Sequence, residues 1–318
     1  MSELYGYHGR LLVVDVSSGA WCEEAIAPSV LREFIGGTGL AAYLLYRFAP
    51  AGVDPLSPEN PLIFVNSPLV GTAVTTSSKY TVITKSPLTG FIGDSMSSSY
   101  LAVELKKTGY DAIVLTGRAP AWSYVEITDG VRLHDATPLL GLEPRATEAK
   151  ARELLDDAHL RVAAIGLAGE RGVRYATISN DGRHAGRTGT GAVMGAKRLK
   201  ALAVRGCGRT QVAHPGELRE VRQRLSAQSL GHATEKYRTM GTTSNLSVFN
   251  RLGALPSYNF RQSTFDAAEQ VSGERLHEAH HERSVTCASC TIGCEHLFRH
   301  GDGSSRLEYE SLFALGPL

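Results

Sequence analysis

Three thiols near the end of the chain carry the sharpest chemical signal. In VTCASCTIGCEHLF, Cys287, Cys290 and Cys294 stand in a C-x2-C-x3-C run. Thiolates select iron–sulfur clusters, zinc or copper(I). Spacings of two and three residues let three sulfurs converge on one centre, and the small residues Ala288, Ser289 and Gly293 let the backbone curl round it. A four-iron cluster or a tetrahedral zinc asks for a fourth ligand, yet the other cysteines, Cys22 and Cys207, lie far upstream. Zinc offers a rival set in which His296 and His300 join Cys287 and Cys290, although the five-residue gap before His296 is far shorter than a finger linker. Free buried thiols are a third reading.

Just upstream, His277-Glu278-Ala279-His280-His281 matches H-E-x-x-H, in which two histidines on one helical face bind zinc and the glutamate serves as base. Five positions are easily matched by chance in a chain with 11 histidines. Such a helix also needs an apolar reverse face, and GERLHEAHHERS is nearly all polar, so a solvated helix surface is the expectation.

Two Gly-rich segments could hold an anionic cofactor: Lys79–Tyr110, KYTVITKSPLTGFIGDSMSSSYLAVELKKTGY, and Asn180–Lys200, NDGRHAGRTGTGAVMGAKRLK. Both combine Gly or Ser with basic residues, a mixture that sets backbone N–H groups and Arg against phosphates. Gly189-Thr190-Gly191, opening a helix over Ala192–Leu199, would place a helix N-terminus beneath an anion. Neither segment is a Walker A or dinucleotide fingerprint: GAVMGAK lacks G-K-S/T, and GTGAVMG has one residue too many for G-x-G-x-x-G. Tight turns would explain many of these glycines, and Gly36-Gly37-Thr38-Gly39 reads as a helix junction.

The elements that must position these residues are partly visible. Strands are expected at Leu11–Val16, Leu62–Asn66, Tyr80–Thr84, Ala112–Thr116, Val162–Ile165, Tyr175–Ser179 and Ala201–Arg205, each rich in apolar or β-branched residues with turn formers nearby. Ser123–Leu133 reads as a hairpin with a two-residue turn at Asp129-Gly130. Helices are expected at Pro28–Phe34, Leu40–Phe48, Thr147–Asp156 and Ala192–Leu199. Beyond Gly208 strand signals nearly vanish, and Leu218–Gln228, Thr242–Leu252 and Glu274–Arg283 carry helical periodicity. This predicts an α+β chain with a β-rich domain over 1–208 and a mostly helical one over 209–318. Leu307–Leu318, LEYESLFALGPL, reads as an apolar helix stopping in mid-pattern with little to pack against, which suggests a truncated chain.

The 318 residues are 42% hydrophobic, enough for a sizeable core, and 33 Lys plus Arg nearly balance 32 Asp plus Glu. That balance gives no electrostatic argument for nucleic acid or an anionic membrane. MSELYGYHGR has no apolar signal region, and no run approaches the ~18 apolar residues of a spanning helix. Clustered cysteines fit metal ligation in a reducing compartment. A soluble cytoplasmic protein is expected.

Taken in order, YGYHGRLLVVDVSSG, FIGGTGLAAYLLY, VDPLSPENPLIF, TKSPLTGFIGDS, GYDAIVLTG, DGRHAGRTGTGAVMGAKRLKALAVRG, LGALPSYNFR, the cysteine run and EYESLFALGP resemble the tungsten-containing aldehyde ferredoxin oxidoreductase family over essentially the whole chain. The resemblance implies a tungsten or molybdenum bis-pterin held between two β-sheets of the N-terminal domain, followed by mostly helical domains. It also implies a [4Fe-4S] cluster near one pterin that passes electrons from a small aldehyde substrate to ferredoxin. The fourth cluster cysteine would come from a C-terminal portion that this chain does not contain; a partner chain carrying that half could restore it.

Carried over residue by residue, Cys287, Cys290 and Cys294 match cluster ligands. Lys79 stands where the family usually has an Arg linking cluster and pterin, keeping the charge but losing the fork geometry. In the stretch Ser95-Met96-Ser97-Ser98, Met96 stands where an Asn commonly offers its carbonyl to a Mg2+ bridging the pterin phosphates, and the serines replace a glycine-rich stretch. Arg183, His184, Gly186, Arg187, Gly189 and Gly191 match the second pterin loop. Either Glu308 or Glu310 matches the active-site glutamate. Rival readings are aromatic thioester reduction or hydroxy acid oxidation within the same family, an inactive truncated homologue, and, more distantly, a zinc protease on His277 and His281.

Overall fold

The computed structural model describes residues 4–301 and 303–318, and it is an α+β structure in two compact units. Unit 1 comprises the chain up to Ala73 together with Ser77–Pro215; unit 2 comprises Val74–Thr76 and Gly216–Leu318.

Unit 1 is built from two six-stranded mixed sheets. The first contains β1 (Arg10–Asp15), β2 (Ala20–Ala25), β3 (Leu62–Asn66), β4 (Lys79–Lys85), β5 (Ile92–Ser98) and β6 (Ala112–Thr116), in the order β2-β1-β6-β3-β4-β5. The second contains β7 (Ser123–Ile127), β8 (Val131–Asp135), β9 (Arg161–Ala164), β10 (Ile178–Asn180), β11 (Arg183–Ala185) and β12 (Leu199–Val204), in the order β11-β10-β9-β12-β7-β8. Helices α1 (Pro28–Phe34), α2 (Gly37–Phe48), α3 (Tyr100–Lys107), α4 (Pro144–Leu154), α5 (Leu167–Glu170) and α6 (Thr190–Ala196) complete the unit.

Strand alternation explains the layering. On β3, Leu62 and Phe64 enter a core shared with Val125, Ile178 and Leu202 of the second sheet. Ile63 and Val65 point the other way, onto Leu31 of α1 and Leu40 and Leu44 of α2. The second sheet repeats the arrangement, with Val162, Ala201 and Ala203 packed against Ala151 of α4. Strands covered on both faces read as continuous apolar runs, which is why β3 and β6 match their expected bounds. The expected two-residue hairpin turn is not made. Ile127 pairs with Val131 across three residues, and neither Asp129 nor Gly130 has the left-handed backbone of an Asp-Gly turn.

Unit 2 contains α7 (Pro215–Gln228), α8 (His232–Met240), a 3-10 turn (Thr242–Ser244), α9 (Asn245–Arg251), α10 (Gly273–His280) and α11 (Tyr309–Leu315). Against the expectation of a nearly strand-free region, it also holds an antiparallel sheet, β13 (His281–Val285), β14 (Glu295–His300) and β15 (Gly303–Arg306). These strands hide from pattern reading. Four successive β14 residues are buried, and β15 is exposed throughout. The helix expected over Glu274–Arg283 therefore stops at His280, where His281 turns extended and begins β13. The terminal helix also finds partners: Tyr309, Leu312 and Phe313 pack on Leu246, Leu255 and Ala268, with Phe249 edge-on to Tyr309 at 5.1 Å.

Candidate active site

In unit 1 the two expected cofactor loops meet at neighbouring sheet edges. β5 and β11 are the edge strands of their sheets. Ser95 and Ser97 point inward from β5 and are buried, while Met96, between them, is half exposed. Ser95 Oγ accepts the Arg187 backbone N–H at 2.9 Å, and Ser86 Oγ donates to the Thr188 carbonyl at 2.7 Å. Ser97 Oγ donates to Asn180 Oδ1 at 3.1 Å, and the Tyr80 hydroxyl donates to the same oxygen. Burial raises the Tyr80 pKa well above the ordinary tyrosine range, so this hydroxyl stays a donor. The Nδ2 of Asn180, fully buried, meets no acceptor among the described residues.

Basic side chains stand on or beside the strands that form this seam. Lys79 pairs across the ribbon with Ser98, to whose Oγ its Nζ donates at 2.8 Å, and its side chain is otherwise exposed. Arg187 and His184 are exposed too, with His184 Nδ1 2.7 Å from Ser179 Oγ. A cleft of about 650 Å³, lined in part by Leu142, Pro144, Gly166, Thr177 and Ser179, opens beside His184. Arg183 lies on β11 and is half-buried, and Gly186 is exposed just after that strand.

The loop that joins β10 to β11 is braced by acids. Asp181 Oδ2 accepts the Leu101 N–H at 3.0 Å beside the Ser99 cap of α3, and Asp181 Oδ1 lies 3.2 Å from Arg161. Glu148 accepts the Asp181 N–H at 3.1 Å; burial, then the Asp181 charge, pushes its pKa up to about 7.

The segment Gly189-Thr190-Gly191, expected to open a helix beneath an anion, is packed closely. The helix begins at Thr190, and its first residues are buried against backbone rather than open to a ligand. A Cβ at Gly189 would come within 1.9 Å of the Arg174 carbonyl oxygen, and Gly189 has a left-handed φ of 76°. Gly191 donates its N–H to the Ala176 carbonyl at 2.9 Å. These glycines shape the second loop by close packing. Lys197, after them, turns inward: it is buried and donates to the Pro58 and Gly117 carbonyls at 3.0 and 3.1 Å, and burial lowers its pKa to about 8.

In unit 2 the cysteines occupy the turn between β13 and β14. All three are half-buried, and none forms a disulfide among the described residues. Ser289 and Gly293 supply left-handed bends, with φ of 56° and 63°, and the Cys290 N–H closes a turn onto the Cys287 carbonyl at 3.1 Å. Thr291 fastens the loop, its N–H donating to Thr75 Oγ1 at 3.1 Å and its hydroxyl bonded to that of Ser229. Among the described residues the three sulfurs are not within the 4.8 Å expected of ligands to a single ion. The alternative Cys2His2 zinc set is not assembled either: His296 is drawn to His277 and His281, and His300 stacks near His280 at 5.1 Å.

Glu308 and Glu310 differ. Glu308 is half-buried and its Oε2 accepts the Thr242 hydroxyl, which in turn accepts the Tyr309 N–H at 3.0 Å; Glu310 is exposed.

Sequence reading missed one group altogether. His277, at the end of α10, His281, at the start of β13, and His296, on β14, bring ring nitrogens within 4.8 Å of one another. H-E-x-x-H held two of the three, and only the unforeseen β13–β14 pairing supplies the third. Burial lowers the pKa of His277 and of His296, favouring neutral rings.

The two-sheet unit followed by a cysteine-bearing unit defines a class, and the comparisons give it a family. Residues 11–206 match the family described as "Aldehyde ferredoxin oxidoreductase, N-terminal domain", and residues 218–318 match its "domains 2 & 3". The chain belongs to the aldehyde ferredoxin oxidoreductase family. It is 39% identical over 323 aligned residues to the tungsten-containing aldehyde ferredoxin oxidoreductase of Pyrococcus horikoshii, covering 98% of this chain and 53% of that protein. It is 33% identical to an aliphatic sulfonate oxidoreductase, WOR-like subunit, of Pyrococcus furiosus, covering 84% of this chain and 45% of that protein. Among solved structures, the active site complex BamBC of benzoyl coenzyme A reductase with 1,5-dienoyl-CoA superposes with a TM-score of 0.83 at 30% identity, covering 96% of this chain and 49% of that one. The chain thus spans about half the length of the relatives it matches. No helix among the described residues is long and apolar enough to cross a membrane.

Proposed function

We propose that this chain is the pterin- and cluster-binding half of an oxidoreductase that converts aldehydes to carboxylic acids and passes the electrons to ferredoxin. The observation that carries the reading is the seam in unit 1, where Ser95, Ser97 and the Arg187 backbone lock two edge strands together, with exposed Lys79, Arg187 and His184 on the strands and loop that form it. The seam also holds an orphaned buried donor, Asn180 Nδ2. Hydrogen-bond donors and basic residues on these edge strands and their loop suit an acceptor-rich, phosphate-bearing pterin. Lys79, Ser95, Met96, Ser97 and Ser98 would line one pterin side, with the Met96 carbonyl available to a bridging Mg2+; Arg183, His184, Gly186 and Arg187 would line the other, on a loop shaped by Gly189 and Gly191. Cys287, Cys290 and Cys294 provide three thiolates for a [4Fe-4S] cluster, whose fourth ligand would come from a chain carrying the other half.

The tungsten or molybdenum pterin, when bound, supplies a two-electron sink. Oxidation of an aldehyde hydrate to a carboxylic acid releases two electrons and two protons. Glu308 suits the role of proton acceptor: the Thr242 hydroxyl orients its carboxylate, and Tyr309 N–H fixes that hydroxyl in turn. A [4Fe-4S] cluster held by Cys287, Cys290 and Cys294 would supply one-electron carriage.

The test is protein purified without oxygen, alone and mixed with a C-terminal half-chain, analysed for iron, tungsten and molybdenum and assayed for aldehyde-dependent dye reduction. Absence of both tungsten and molybdenum in every preparation would sink the proposal. With activity in hand, Glu308→Gln should cost at least ~10²-fold in turnover and Glu310→Gln little. A second reaction, reduction of an aromatic thioester, is favoured by the TM-score of 0.83 to BamBC. A benzoyl thioester that reoxidises the reduced enzyme, where carboxylic acids do not, would select it.

A further inference from the structure

We infer that His277, His281 and His296 form a mononuclear site for a zinc-class divalent metal, separate from the thiolate loop. The three residues come from three elements that meet only in the fold: the last turn of α10, the first residue of β13 and the second residue of β14. Their ligand atoms lie within 4.8 Å of one another. Zn–N bonds of about 2.0–2.1 Å in a tetrahedron set nitrogens roughly 3.4 Å apart, so small χ rotations close the site.

Three further observations point to a ligand. First, Nε2 of His281 is buried and has no hydrogen-bond partner among the described residues. A buried imidazole nitrogen left unpaired is costly unless something coordinates it. Second, the nitrogens of buried His296 are only loosely engaged, Nε2 lying 3.4 Å from the Tyr237 carbonyl and Nδ1 3.5 Å from Ser284 Oγ. Third, the rings crowd together without bonding one another: His277 and His281 have centroids 4.1 Å apart, and His296 stands 5.0 Å from His281. Phe298 closes one side, 6.2 Å from His281.

Three neutral imidazoles suit zinc, copper or nickel far better than Mg2+ or Ca2+, which prefer oxygen. Zinc is the commitment here, with a water completing the tetrahedron as three-histidine zinc sites allow. The ion would staple α10 to both strands that flank the cysteine turn. The zincin arrangement is excluded in this geometry, because His281 has left the helix.

Zinc chloride added to the full chain, followed by removal of loosely held ion and elemental analysis, should leave one zinc per chain in the wild type and in Cys290→Ser. His281→Gln and His277→Gln should lose it while iron content stays the same. Zinc retained in both histidine variants, or lost only in Cys290→Ser, overturns the site. X-ray absorption at the zinc edge of the wild-type protein decides the matter even where a variant fails to fold. Three imidazole nitrogens with no sulfur support the assignment, and sulfur in the first shell defeats it.

Discussion

Unit 1 and unit 2 solve the problem of closing a fold in different ways. Unit 1 closes with side chains alone: three apolar clusters sandwich its two sheets. Its buried cations are answered internally, Lys106 by Asp111 at 2.6 Å and Lys200 by Glu170 and the Leu142 and Ile165 carbonyls. Among the described residues, unit 2 has one small apolar cluster, with Leu246, Leu255 and Ala268 as its buried members. Around its sheet it gathers cysteines and histidines instead, groups whose natural partners are metals. A unit with a thin core depends on outside staples, and metal binding then becomes folding energy. With the metals bound as proposed, unit 1 should fold without cofactors while unit 2 should depend on them.

The hardest test of that contrast falls on unit 1. Phe64 is buried where the two sheets meet, so Phe64→Ala should cost about 3–5 kcal/mol. Both tryptophans, Trp21 and Trp122, belong to unit 1, so their fluorescence during a urea titration reports that unit. An unchanged midpoint would show that the sandwich is not what holds unit 1 together.

Metal removal is the complementary experiment. A metal present at 100 times its Kd contributes about 2.7 kcal/mol to whatever folds around it. Chelation should expose residues 274–300 to protease while leaving the tryptophan-detected midpoint in place. If that midpoint falls in step with proteolysis, the two units do not unfold independently.

How much of this was legible in the sequence follows the same divide. Strands buried on both faces, such as Leu62–Asn66 and Ala112–Thr116, announce themselves through unbroken apolar runs. The edge strands that hold the candidate site do not. β5, IGDSMSS, has hydroxyls where β-branched residues would signal a strand, and β11 is three residues long. Edges that bind polar ligands spend their sequence on polar groups, so pattern reading fails where chemistry begins. In unit 2 the cysteine spacing was readable because its ligands are local, whereas the histidine triad depends on β13 pairing with β14 in one register. Asn180 gave no signal beyond its place before Asp-Gly, and its role rests on contacts with Tyr80 and Ser97, 100 and 83 residues away.

The smallest predicted effect probes whether unit 1 carries any stored cost of its own. Glu148 is a buried carboxyl in that unit's interior, where burial and Asp181 raise its pKa to about 7 from the ordinary 4.5. A carboxyl whose folded pKa is raised holds its proton more tightly in the folded state. Its contribution is therefore intact below pH 4.5, declines as pH rises, and is lost above pH 7. Each pH unit of that window is worth at most about 1.4 kcal/mol, and the ion pair to Arg152 at 3.3 Å is one of the interactions that already limit the shift. Glu148→Gln keeps an acceptor for the Asp181 N–H and removes the charge. It should raise the melting temperature at pH 8 and leave it nearly unchanged at pH 5. Equal shifts at both pH values would mean that the Glu148 charge is not the source of strain, and that the Asp181 loop is held as comfortably as the rest of unit 1.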